Sequence, residues 1–176
     1  KTENFKMEGG ELNMRAAYRS GIECTNFIMS SGKLDLNVLG NIQYTGSGLL
    51  AAGGVSFNGG MAKIQADGDA VQCSSLSIQD GVENLKFISN AASEKDSNYM
   101  AVDTSYVTLA TSLKTMVSHN ADGSGGTALP NNYTGNLAGN DYIEVMKCWT
   151  INGTISGVTS STKTSVALYK SGSSTP

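Results

Sequence analysis

The chain has 176 residues, of which 39% are hydrophobic and only 15% charged, with a net charge of −3. That length suits one domain with a real core, and 21 glycines beside 52 Ser, Thr and Asn residues describe a neutral, loop-rich surface on a folded chain, since disordered chains carry more charge and fewer aliphatics. Lys and Arg are scattered singly, which argues against nucleic acid as a partner, and no apolar run of about 18 residues is present to cross a bilayer as a helix.

Residues 2–19 read as a helix. Glu3, Phe5, Lys6, Met7, Glu8, Glu11, Leu12, Met14, Arg15, Ala16 and Ala17 are mostly good helix formers. Phe5, Leu12 and Ala16 would share one face of it. Gly9-Gly10 is the awkward point, costing about 2 kcal/mol against alanine in a helix interior, and Gly21 is the stop signal.

After Gly32 the texture changes to short strands. In "KLDLNVLG", Leu34, Leu36 and Val38 fall on one side of an extended segment. Glycine-rich stretches follow, but their spacing is irregular, which argues against a solenoid. "SLSIQDGVENLKFIS" reads as a hairpin turning at Asp80-Gly81. Residues 106–119 form the clearest strand, with Val107, Leu109, Leu113 and Val117 on one face. A polar loop over residues 120–141 is rich in turn formers and is expected to be mobile or functional. "DYIEVMKCWTINGTISGV" gives a strand and a hairpin at Asn152-Gly153, and Thr164, Val166 and Leu168 alternate in a closing strand.

Few residues suggest chemistry. Cys24, Cys73 and Cys148 are too far apart in sequence for a redox pair or a zinc knuckle. They are disulfide candidates in an oxidising compartment, with no pairing favoured, or else small buried hydrophobes. The one histidine, His119, has no nucleophile motif beside it. Asp67 and Asp69 read as turn residues, with a calcium loop or a glycosidase pair as the alternatives. Asn120 and Asp122 place oxygens around a glycine as a calcium loop does, without the terminal bidentate glutamate. No other cofactor is expected. Asn132 and Asn152 begin sequons, and Trp149 is a core residue, a ring packed on a disulfide at the adjacent Cys148, or a surface ring for a sugar.

Four segments in order, "MRAAYRSGIEC", "IQDGVENLKFIS", "YMAVDTSYVTLATSLKTMVSHN" and "TKTSVALYKSG", resemble the minor type IV pilins related to the larger pseudopilins of type II secretion. The resemblance implies an α+β fold, an N-terminal helix packed on an antiparallel β-sheet. It implies one domain over residues 1–176, with a helix remnant at 1–21 and a β-rich head at 33–170. The membrane-anchoring apolar helix would lie upstream of Lys1. Function would be assembly of an extracellular bacterial surface filament without catalysis. Partners would be other pilin subunits or a host or prey surface ligand, with Asn131, Asn132, Tyr133 and Asn136 on the partner-facing loop. A second, shorter segment, "KLDLNVLGNIQYTG", resembles repeats near the distal end of tail-fibre and trimeric adhesin proteins, which implies a receptor-binding tip instead. A secreted hydrolase is the reading from a different class.

Overall fold

The computed structural model describes residues 2–16, 19–39, 46–90, 99–131, 133 and 135–148. Among them the protein is all-β, with thirteen strands joined in one mixed sheet and no helix. This overturns the expected α+β arrangement. The first strands are β1 (Thr2–Met7) and β2 (Glu11–Ala16), followed by β3 (Ile22–Met29) and β4 (Lys33–Val38). β1 pairs with β3 and β2 with β4, both in parallel, so Thr2 opposes Cys24 and Glu11 opposes Lys33.

That pattern repeats. β5 (Leu49–Ala51) and β6 (Gly54–Ala66) make a third turn of chain, β7 (Val71–Gln72) and β8 (Ser75–Ser89) a fourth, and β9 (Val102–Asp103) with β10 (Val107–Leu109) a fifth. Each stacks in parallel on the one before it. The chain is therefore a parallel β-helix with three faces. β1, the end of β3, the starts of β6 and β8, and β10 form the first face. β2, β4 and the ends of β6 and β8 form the second. The start of β3, β5, β7 and β9 form the third.

The residues expected as one helix form two strands because Gly9-Gly10 is a corner. Beyond it Leu12, Met14 and Ala16 alternate inward with Glu11, Asn13 and Arg15 outward, the period of a strand. Helix propensity is a fraction of a kcal/mol per residue, and tertiary pairing overrides it. A helix here would leave the backbone edges of β3 and β4 without their partners. The corner recurs at Gly32 and Gly60, both with positive φ (97° and 84°). A Cβ on Gly32 would lie 2.5 Å from the Gly10 carbonyl oxygen, and one on Gly60 would lie 2.5 Å from that of Gly32. The backbones of successive corners thus stack too closely for any side chain.

The steps between coils are unequal: 22 residues from Glu11 to Lys33, 28 from Asn26 to Gly54 and 31 from Gln72 to Asp103. Extra residues are absorbed between strands, which is why the solenoid escapes a search for a fixed period. Asp80-Gly81 is likewise a corner inside β8, with Gly81 beside Gly59 of the coil before, and no hairpin forms there. Leu76, Ile78, Leu85 and Phe87 point inward as their alternation implied.

The interior is filled with side chains. All four phenylalanines form one row: Phe5 stacks on Phe27, Phe27 meets Phe57 and Phe57 meets Phe87, with ring centroids 5.5, 5.5 and 5.6 Å apart. Leu34, Leu36, Ile64 and Leu85 fill the second face. Such offset aromatic contacts add about 0.5–1.5 kcal/mol each beyond the area they bury.

The stack ends in a reversal. The expected strand at 106–119 is broken by a turn at Ala110, where the Leu113 amide bonds to the Ala110 carbonyl, leaving β10 and β11 (Leu113–Ser118). The polar loop then carries β12 (Thr127–Ala128), and β13 (Tyr142–Lys147) returns to insert between β8 and β11, antiparallel to both. The parallel ladder thereby becomes an antiparallel one, and the second-face edge of β8 is covered. The expected Asn152-Gly153 hairpin, the closing strand and Trp149 lie outside the described residues.

Candidate interaction surface

Since the interior is occupied, chemistry is confined to the outside of the coils and to their ends. On the first face, Lys6, Ile28, Ser56, Ser77 and Thr108 stand one above another in neighbouring strands. Two residues earlier along each strand, Asn4 opposes Asn26 and Gly54 opposes Ser75, with Tyr106 beside the end of this row. The Asn26 side chain links three coils: its Nδ2 donates to Asn4 Oδ1 at 3.1 Å, and its Oδ1 accepts from the Gly54 amide at 3.1 Å. Ser56 Oγ donates to Asn58, and Gln79 donates to Ser77 Oγ. Parallel strands lie about 4.8 Å apart, so Ser56, Ser77 and Thr108, with Asn4, Asn26 and Ser75 beside them, form an array of neutral donors and acceptors, while the cation of Lys6 and the apolar Ile28 occupy its first two coils. Thr104 brackets Tyr106, its hydroxyl donating to the Tyr106 carbonyl and accepting from the Tyr106 amide. Tyr106 as a whole is 65% exposed.

A shallow groove of about 640 Å³ follows the glycine corner, lined by Glu11, Lys33, Asn58, Met61 and Glu83 among others. Lys33 pairs with Glu11 at 2.8 Å. On the second face, Glu144 of β13 gathers Tyr142 Oη (2.7 Å), Asn84 Nδ2 (3.1 Å) and Lys86 Nζ (3.4 Å). Burial raises the pKa of Glu144, but these three donors outweigh it and hold the carboxyl below its usual value.

The residues singled out from the sequence do not converge. Cys24 and Cys73 are buried, Cys148 is exposed, and none is bonded to another. Cys24 opposes Ala51, and Leu50 opposes Gln72, so Ala51 stands between Cys24 and Cys73 on one row. Two strand spacings, about 9.6 Å, are beyond what a disulfide bridges. His119 is exposed and donates from Nδ1 to the Gly139 carbonyl. Asp67 and Asp69 lie at the corner after β6. The Oδ1 of Asp69 accepts the Met100 amide at 2.9 Å, and burial lifts the Asp69 pKa to about 6.

Asn120 and Asp122 bond within their own turn. The Asn120 amide nitrogen donates to the carbonyl and hydroxyl of Ser124, and Asp122 Oδ1 accepts the Ser124 amide. Among the described residues no cluster of three His, Cys, Asp or Glu side chains surrounds a metal-sized space. Asn131 accepts from Lys114 Nζ, and Tyr133 donates its hydroxyl to the Asn136 carbonyl, so the loop is held against β11 and against itself. Asn132 lies outside the described residues.

The first-face array was missed because its members are scattered through the sequence and align only once the strands stack. The fold defines an all-β parallel solenoid with a filled interior and polar outer faces. Compared with known proteins, the chain matches no family model, no curated protein and no solved structure.

Proposed function

We propose that the protein is a non-catalytic extracellular module of the fibre-like adhesin kind, a rigid coil that presents its polar first face to a hydroxyl-rich surface polymer such as a glycan. The observation that carries this reading is the ladder of Asn4, Asn26, Ser75, Ser56, Ser77 and Thr108 leading to the exposed Tyr106 ring. Repeated neutral hydrogen-bonding groups suit a repeated neutral polymer, and an exposed aromatic face suits a sugar ring. The filament-subunit reading depended on an N-terminal helix clasped by the sheet. With two strands in its place, the adhesin reading is the one carried forward. A single chain winds the whole coil, so three-chain intertwining is not needed to close its core.

The test is binding to polysaccharide arrays and to intact cells. Saturable retention on at least one surface is expected. Tyr106→Ala should weaken it about fivefold, the equivalent of about 1 kcal/mol of ring stacking. Absence of retention on every surface, or retention indifferent to both Tyr106→Ala and Ser77→Lys, would overturn the assignment.

A further inference from the structure

We propose that the outer side of the second face is a cationic docking surface for an acidic polysaccharide, a polymer of hydroxyl-bearing sugars with carboxylates at intervals. This surface is separate from the first face and does not depend on how that face is used. Six strands build it, in the order β2, β4, β6, β8, β13 and β11. At the usual strand spacing it is about 24 Å across. Its outward side chains stand in three rows that cross the strands. Glu11, Lys33 and Lys114 belong to the first row, Asp35, Lys63, Lys86 and Glu144 to the second, and Arg15 to the third.

The charges of the chain are shared unevenly. This face carries five cations, Arg15, Lys33, Lys63, Lys86 and Lys114, against three carboxylates, Glu11, Asp35 and Glu144. Lys147 and Glu83, at the adjoining glycine corner, cancel each other. Among the other described residues, Lys6 and Arg19 stand against nine carboxylates. A chain of net charge −3 therefore turns a surplus of positive charge to one side. Lys33 is held by Glu11 and Lys86 by Glu144. Arg15 and Lys63 are exposed and enter no ion pair among the described residues. Lys114 is exposed too, and its Nζ donates to the neutral oxygen of Asn131 at 2.5 Å.

The pattern selects the kind of polyanion. Arg15, Lys63 and Lys114 are spread across the face, and Asp35 and Glu144 stand among the cations. A nucleic acid carries a phosphate at every nucleotide and would press charge against those carboxylates. A polymer with sparse carboxylates meets the cations singly and leaves hydroxyl groups between them. Acceptors for those hydroxyls are present. The amide nitrogens of Asn13 and Gln65 are engaged by Glu11 and Asn90, and their oxygens remain beside the carboxylate of Asp35. Complementary charge of this sort sets the rate and selectivity of encounter more than its tightness.

The experiment is retention of the 176-residue chain on immobilised polygalacturonate at low salt, measured by surface plasmon resonance. Double-stranded DNA and phosphatidylserine vesicles serve as parallel surfaces, and circular dichroism checks folding. Polygalacturonate is expected to retain the wild type. Salt at about 1 M should release it, since charges are then screened within about 3 Å. Lys63→Glu and Lys114→Glu should each weaken retention about tenfold, whereas Lys6→Glu, on the first face, should leave it unchanged. Absence of retention, retention indifferent to both second-face reversals or lowered as much by Lys6→Glu, or tighter binding to DNA or to the vesicles would overturn the proposal.

Discussion

Cys24 and Cys73 stand on one interior row of the third face with Ala51 between them. The stacking that buries both thiols also keeps them apart. Burial raises the Cys73 pKa to about 11 and pushes that of Cys24 upward as well, so little thiolate forms at neutral pH. Brief alkylation of the native protein should modify Cys148 and leave Cys24 and Cys73 unmodified until denaturant is added, as read by peptide mass spectrometry. Rapid native labelling of Cys73 would contradict the stack.

The corner glycines should be intolerant of substitution. At Gly32 a methyl group meets the Gly10 carbonyl oxygen at 2.5 Å, in a backbone conformation that alanine rarely adopts. Gly32→Ala is expected to cost about 2–4 kcal/mol, measured by urea unfolding. Gly139 has a similar φ of 77° with no atom within 4 Å of its Cβ position. Gly139→Ala should therefore cost only the conformational strain, about 1–2 kcal/mol.

Asp69 gives the fold a particular pH response. Its native pKa is about 6 against 3.8 for the free group, so the native state holds the proton more tightly than the unfolded chain does. Its contribution favours the fold fully below 3.8 and is lost as pH rises through about 6. Asp69→Asn keeps an oxygen for the Met100 amide and removes the buried charge. The variant is expected to gain about 1–2 kcal/mol at neutral pH and to flatten the stability profile between pH 4 and 6. An unchanged profile would exclude Asp69 as its source.

Glu144 acts in the opposite direction. Its lowered pKa means that its contribution is present above the ordinary carboxylate range and is lost on acidification through the native value. Glu144→Ala removes the shared acceptor of Tyr142, Asn84 and Lys86 and should cost about 1–3 kcal/mol. The amides of β13 should then exchange hydrogen faster than those of β6, because β13 is the inserted strand while β6 lies between coils on both sides.

The alternation within single strands was legible in the sequence, and the way the strands stack was not. Leu34, Leu36 and Val38, Leu76 and Ile78, and Leu85 and Phe87 all point inward as their spacing implied, because side-chain direction in a strand is a local property. The helix expected over residues 2–19 failed because Glu, Lys, Met and Ala favour helix only weakly, whereas β1 and β2 form complete parallel ladders with residues more than twenty positions away. Gly9-Gly10 was the signal for a corner, and it has the same role as Ser31-Gly32 and Gly59-Gly60. The first-face array was hidden for the same reason as the solenoid. Asn4, Asn26 and Ser75 become neighbours only through the register, and the register has no constant period for a single sequence to display.

The unequal coil steps have a consequence for how this molecule can be altered. Val38 and Leu49 are joined by a longer stretch than Ala66 and Val71, yet β4 and β6 still align residue for residue, as do β5 and β7. Each coil is positioned by the strands on either side of it, and the connector lengths do not set that position. A peptide grafted directly after the exposed Leu39 would therefore leave the core of the rod in register.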